Sequence, residues 1–232
     1  MNEFLRFAVL GLGAGACYGL AAQGIVLVYR GSGVLNFANG AIGMVGAFYF
    51  YDARDSGVPT WLAFVLALAL GAVIGAAIHL GIMRTLRRAP ALSRLIATLG
   101  LFTAFYAFAL DRYGMNIRVV TKMFEPVPVE VLPDISIGRD RLVLLGVGVV
   151  LTAVLSVVYR RTWFGFATTA VAESRRAAAA QGVSPDLVAA VNWALGTIPA
   201  GAGITVSLPL VVAAAATDGT VITLPAASRA TP

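Results

Sequence analysis

The chain has 232 residues, 59% of them hydrophobic and only 12% charged, with a net charge of +6 and a mean hydropathy of +0.86. Soluble domains carry about a quarter of their residues as charges, so a soluble globular fold is excluded and a bilayer is expected to act as the apolar solvent. The lone cysteine, Cys17, and the lone histidine, His79, exclude a disulfide framework and a His/Cys metal site. The basic residues sit in short clusters between apolar runs and not along one solvated face, which argues against a nucleic-acid partner.

The first apolar run, Phe7–Tyr29, is far longer than the apolar core of a signal peptide and reads as a retained span. Five further runs follow at 34–51, 58–83, 94–111, 141–159 and 187–206, and an apolar stretch covers 208–216. They are blocks such as Leu62–Gly71 and do not alternate polar with apolar residues, so helices are expected and not barrel strands. The predicted fold is all-α: a polytopic integral membrane protein of about six transmembrane helices, each near the roughly 20 residues that a span needs. Residues 1–216 form the membrane domain and 217–232 a polar tail with Asp218, Pro225, Arg229 and Pro232, too polar to span. Pro199 is expected to kink the last helix.

Alternating the loops between two sides separates the charges. One side holds Arg30, Arg84, Arg87, Arg88, Arg94, Arg160, Arg161, Arg175 and Arg176 with Glu173 and Asp186, a net of +7; the other, rich in acids, has a net of −1. The excess of arginine places the first side in the cytoplasm and the N-terminus outside. The external loop 112–140 contains Pro126, Pro128 and Pro133 and reads as a solvated connector, or as a docking surface for an external partner. In the cytoplasmic stretch 160–186 the alanine-dense segment 166–181 predicts one helix, stopped by Gly182, with Ser184-Pro185 restarting the chain.

The most informative stretch is Leu35–Phe48. Asn36 and Asn39 lie just inside a membrane segment, where an amide without a hydrogen bond is costly, so both are expected to face the protein interior. The preceding Gly31-Ser32-Gly33 favours a broken backbone, and Asn36 is placed to cap a helix starting at Phe37. Gly40, Gly43 and Ala47 fall on one face at helical spacing, which allows close helix contact. A glycine-interrupted span with a polar tip is where transporters place a substrate path, and Asn36, Asn39, Gly40 and Gly43 are its candidate residues. The alternative is that Asn36 only caps and Asn39 only bonds a neighbouring helix. Ser32 and His79 make an imaginable nucleophile–base pair, but Gly31-Ser32-Gly33 lacks the surroundings of a nucleophile elbow. No G-x-x-x-x-G-K-[ST] phosphate loop occurs, so the chain has no ATPase site of its own, no enzymatic role is expected, and no cofactor is expected in it.

The run Leu35–Phe48 resembles the signature of the branched-chain amino acid (LivH-like) permease family of bacterial ABC importers. Thr162-Trp163-Phe164-Gly165, then Ala170-Val171-Ala172-Glu173, Ala177-Ala178 and Gly182-Val183, resemble that family's coupling segment, and the likeness runs over roughly residues 10–206. It implies a multi-pass subunit of the bacterial plasma membrane that forms the path for branched-chain or other amino acids, amides or urea. It implies separate ATPase subunits that bind ATP, a second homologous permease subunit and an external solute-binding protein. Gly165, Ala170, Ala172, Glu173, Ala177 and Gly182 are the implied coupling residues. The chain departs from the family at Asn39, where His or Gln is commoner, and at Thr169 and Ser174-Arg175. Family members continue through further spans, which implies a chain shortened near residue 208. A self-contained secondary transporter is the alternative, disfavoured because no span has a central charge.

Overall fold

A computed structural model describes residues 2–113, 128–132 and 135–217. The helices in chain order are α1 (Asn2–Ser32), α2 (Asn39–Asp55), α3 (Thr60–Ile78), α4 (Ala91–Tyr113), α5 (Arg139–Arg161), α6 (Trp163–Glu173), α7 (Arg175–Ala180) and α8 (Pro185–Thr217). Between α4 and α5, β1 (Pro128–Leu132) and β2 (Ile135–Gly138) pair antiparallel, Val129 opposite Ile137, with an irregularity between Glu130 and Leu132. Much of the 112–140 connector and the 218–232 tail lie outside the described residues.

Each of the six apolar runs lies mostly on a helix, the run 34–51 from Asn39 onward. Among the described residues, Thr60–Met83 and Ala91–Tyr113 are long and apolar enough to cross a membrane, and Leu145–Arg161 with Trp163–Glu173 makes a third if this pair, bent by 73°, is one span.

α8 is the centre of the bundle, packed on α1, α2 and α3. In lipid the backbones of neighbouring helices approach where residues are small, because there is no hydrophobic drive between them. A Cβ on Gly24 of α1 would run into the carbonyl oxygen of Gly196, and one on Gly196 would lie 2.8 Å from the oxygen of Gly24. On the other flank a Cβ on Gly75 of α3 would lie 2.5 Å from the carbonyl oxygen of Trp193. The four-residue spacings of Asn192 and Gly196, and of Trp193 and Thr197, turn the first pair toward α1 and the second toward α3. Trp193 is fully buried and joins Val28, Val34, Ala38, Ile42, Ile78 and Met83 in the main apolar cluster.

α4 lies at the periphery. It buries Thr98 and Ala109, while Leu92, Ile96, Phe102, Tyr106 and Phe108 are exposed. Its far end is tied to α2: the Tyr113 hydroxyl donates to Asp52 at 2.6 Å, and Phe48 stacks on Tyr113 at 4.1 Å.

Three local expectations change. α2 begins at Asn39 and not at Phe37, because the Asn36 side chain closes a turn on Ala38 two residues earlier. The expected single helix over 166–181 is two, α6 and α7. Ser174 leaves helical geometry at φ −153° and ψ 105° and caps α7 by accepting from the Ala177 N–H. α8 runs through Pro199 to Thr217, well past residue 206. Gly182 does end the preceding segment, at φ +84°, and Ser184 accepts from the Leu187 N–H at the start of α8.

Candidate functional site

The break between α1 and α2 is built by short-range hydrogen bonds. Gly33 takes φ +67°, a region that favours glycine. The Ser32 hydroxyl donates to the Val28 carbonyl at 2.8 Å and accepts from the Val34 N–H at 3.3 Å. Asn36 Oδ1 accepts from the Ala38 N–H at 3.0 Å, the local turn that asparagine favours. Both Asn36 and Asn39 are buried, at 2% and 3% exposure, and face the interior as their desolvation cost requires.

Neither amide is fully satisfied. Asn36 Nδ2 and Asn39 Oδ1 have no hydrogen-bond partner, and neither has the buried Oε1 of Gln23 on α1. Asn39 Nδ2 reaches the Ala21 carbonyl only at 3.5 Å. It lies against Gly24, where an added Cβ would come within 2.9 Å of it. Buried polar atoms without partners cost about 1–3 kcal/mol each. Asn36 and Asn39 put two such atoms beside the α1–α2 break. Gly40 is exposed and an added Cβ there would meet nothing within 4 Å, so it makes no close helix contact; Gly43 is buried. The close approach of α2 to α3 falls at Gly46, 3.6 Å from the Ala67 carbonyl oxygen on the same measure.

The second constellation lies at the basic end of the bundle. α5 and α6 meet in an elbow bent by 73°. A side chain at Gly165 would collide with the Tyr159 backbone, so glycine is what lets the chain turn back so tightly. Ala167, Val171 and Ala178 then pack on Val188 of α8. Asp186 receives Arg87 at 3.1 Å, Arg175 at 3.3 Å and Arg84 at 3.5 Å, which gathers the α3–α4 loop, α7 and α8 around one carboxylate.

Of the implied coupling residues, Gly165 is buried and Ala170 partly buried, while Ala172, Glu173, Ala177 and Gly182 are exposed. A groove of about 310 Å³ runs between Tyr29–Gly33 and the Val171, Ala172 and Arg175 side chains. Trp163 and Phe166 stand exposed with rings 5.5 Å apart.

Three residues of this end carry no warning in the motif. Asn192, fully buried on α8, donates to the Val188 carbonyl at 2.7 Å and to the Thr168 hydroxyl at 3.1 Å, and accepts from the Tyr159 hydroxyl. The signal was the one used for Asn39, an amide inside an apolar run.

Ser32, His79 and Asp186 line one small cleft, but the Ser32 hydroxyl is engaged by Val28. Both ring nitrogens of the buried His79 lack a hydrogen-bond partner, so no Ser–His hydrogen bond forms. No group of three His, Cys, Asp or Glu side chains suited to a metal occurs among the described residues.

Long apolar helices packed around buried carboxamides fit a helical membrane protein. The chain belongs to the family described as branched-chain amino acid transport system / permease component, whose model matches residues 7–227. The match extends beyond the 10–206 over which the motifs were apparent. No curated protein and no solved structure matches the chain significantly.

Proposed function

We propose that the chain is a permease subunit of an ABC importer and forms a path for branched-chain or other amino acids across the plasma membrane. Six helices, α1, α2, α3 with its extension to Met83, α4, α5 and α8, cross the bilayer with the N-terminus outside, and the arginine-rich end lies in the cytoplasm. Support for this sidedness comes from the structure bringing Arg84, Arg87 and Arg175, from two separate loops, to one end of the bundle, the end that the positive-inside rule then assigns to the cytoplasm.

The observation that carries the proposal is the pair of buried polar atoms without partners, Asn36 Nδ2 and Asn39 Oδ1, beside the α1–α2 break. A carboxamide N–H suits a substrate carboxylate, and carboxamide oxygens suit an ammonium group. Separate ATPase subunits dock on the exposed side of α6 and α7 through Ala172, Glu173 and Ala177. A second homologous permease subunit and an external binding protein complete the transporter.

Asn39→Leu, expressed with the ATPase and binding-protein subunits, tests the path. Uptake of labelled leucine is expected to fall at least tenfold while the melting temperature stays within a few degrees. Normal uptake would leave Asn39 a packing residue only. A self-contained secondary transporter draws on one observation, the buried His79 with both nitrogens unpartnered. That reading requires uptake to follow a proton gradient without ATP.

A further inference from the structure

We propose that Asn192 is a positioning residue for transport, the joint through which the α5–α6 elbow and α8 move as one body; this rests on the importer function proposed above. The Asn192 amide has two N–H groups and both are used, one on the Val188 carbonyl of its own helix at 2.7 Å and one on the Thr168 hydroxyl of α6 at 3.1 Å. Its oxygen accepts from the Tyr159 hydroxyl at the end of α5. On the remaining side Asn192 packs against Gly31 of α1 so closely that an added Cβ would collide with its side chain. One fully buried side chain thus touches four helices and hydrogen-bonds three of them.

Thr168 is buried on α6, the helix whose end, at Ala172 and Glu173, is exposed. A partner that tilts α6 therefore pulls on Asn192. One turn along α8, about 6 Å away, is Gly196, which is in backbone contact with Gly24, and Gly24 abuts the Asn39 amide. Packed contacts run from α6 through Asn192, Gly196 and Gly24 to Asn39, the kind of packed network that can carry coupling between sites. A conventional helix–helix contact of alanines would slip under such a pull. An amide with directional bonds to two other helices holds its register.

The test is a double-mutant cycle in the assembled transporter, with ATP hydrolysed per leucine imported as the readout. Tyr159→Phe and Thr168→Val each remove one bond to Asn192 with little change in volume. Each is expected to raise that ratio about fivefold, the size of one hydrogen bond's net contribution, with ATPase co-purification unchanged. In an Asn192→Ala background neither is expected to raise it further. A purely structural role predicts that transport and hydrolysis fall together with the folded fraction, leaving the ratio unmoved, and that result would overturn the proposal. Failure of the unsubstituted chain to bind any ATPase subunit would instead remove the importer function itself.

Discussion

The crossing of α1 and α8 is the sharpest place to perturb the bundle, and Gly24→Ala is the smallest perturbation. The new methyl group would meet the Gly196 carbonyl oxygen and sit 2.9 Å from Asn39 Nδ2. Both obstacles are fixed, the first by helix backbone and the second by burial, so the helices must separate. Overpacking of this kind costs about 1–3 kcal/mol, against which alanine's better helix propensity returns at most about 1 kcal/mol. Gly19, on the same helix, has nothing within 4 Å of an added Cβ, so Gly19→Ala is expected to gain about 0.5–1 kcal/mol. The two variants should differ by about 2 kcal/mol, which for a chain of this size is roughly 4–8 °C in melting temperature. Thermal unfolding of the two proteins in one detergent, monitored by tryptophan fluorescence, measures it. Equal melting temperatures would refute the close crossing at Gly24 and Gly196.

Further outcomes follow from the same geometry. Gly165→Ala should open the α5–α6 elbow, because its methyl group has no room beside the Tyr159 backbone; a cysteine at Ala167, buried in the native state, should then become reactive to maleimide. Asp186→Asn should weaken the joint between the α3–α4 loop, α7 and α8 by about 1–2 kcal/mol at low salt, since its three partly exposed arginine pairs each contribute little. That loss should shrink in concentrated salt, through screening, and a loss independent of salt would contradict the electrostatic origin. Single cysteines at Ser56 and Thr85 should label from opposite sides of the membrane, and labelling of both from outside would overturn the orientation.

The sequence made the helical elements readable because apolar runs of membrane length have few alternatives, and it made Asn36 and Asn39 readable because a carboxamide in such a run must be buried. Their burial at 2% and 3% followed from solvation alone. What stayed hidden depends on partners far along the chain. Asn192 lies in an equally apolar run, yet its role needs Tyr159 and Thr168, which reach it only after the elbow folds. Gly24 and Gly196 look like any other glycines until the α1–α8 crossing sets them against each other. The split of the 166–181 helix at Ser174 was local and legible in part, since serine competes for backbone N–H groups. The alanines on either side outweighed it in propensity. Gly40, placed on a packing face by its spacing with Gly43, is exposed, because spacing fixes which residues share a face and not whether another helix covers it.

The most direct measurement is leucine uptake into proteoliposomes that hold the chain with the proposed ATPase and second permease subunits and contain ATP, with binding protein added outside. Accumulation is expected only while ATP is hydrolysed and should vanish when the ATPase subunit is inactivated. Accumulation by the chain alone, driven by an imposed proton gradient and indifferent to ATP, would contradict its place in an ABC importer.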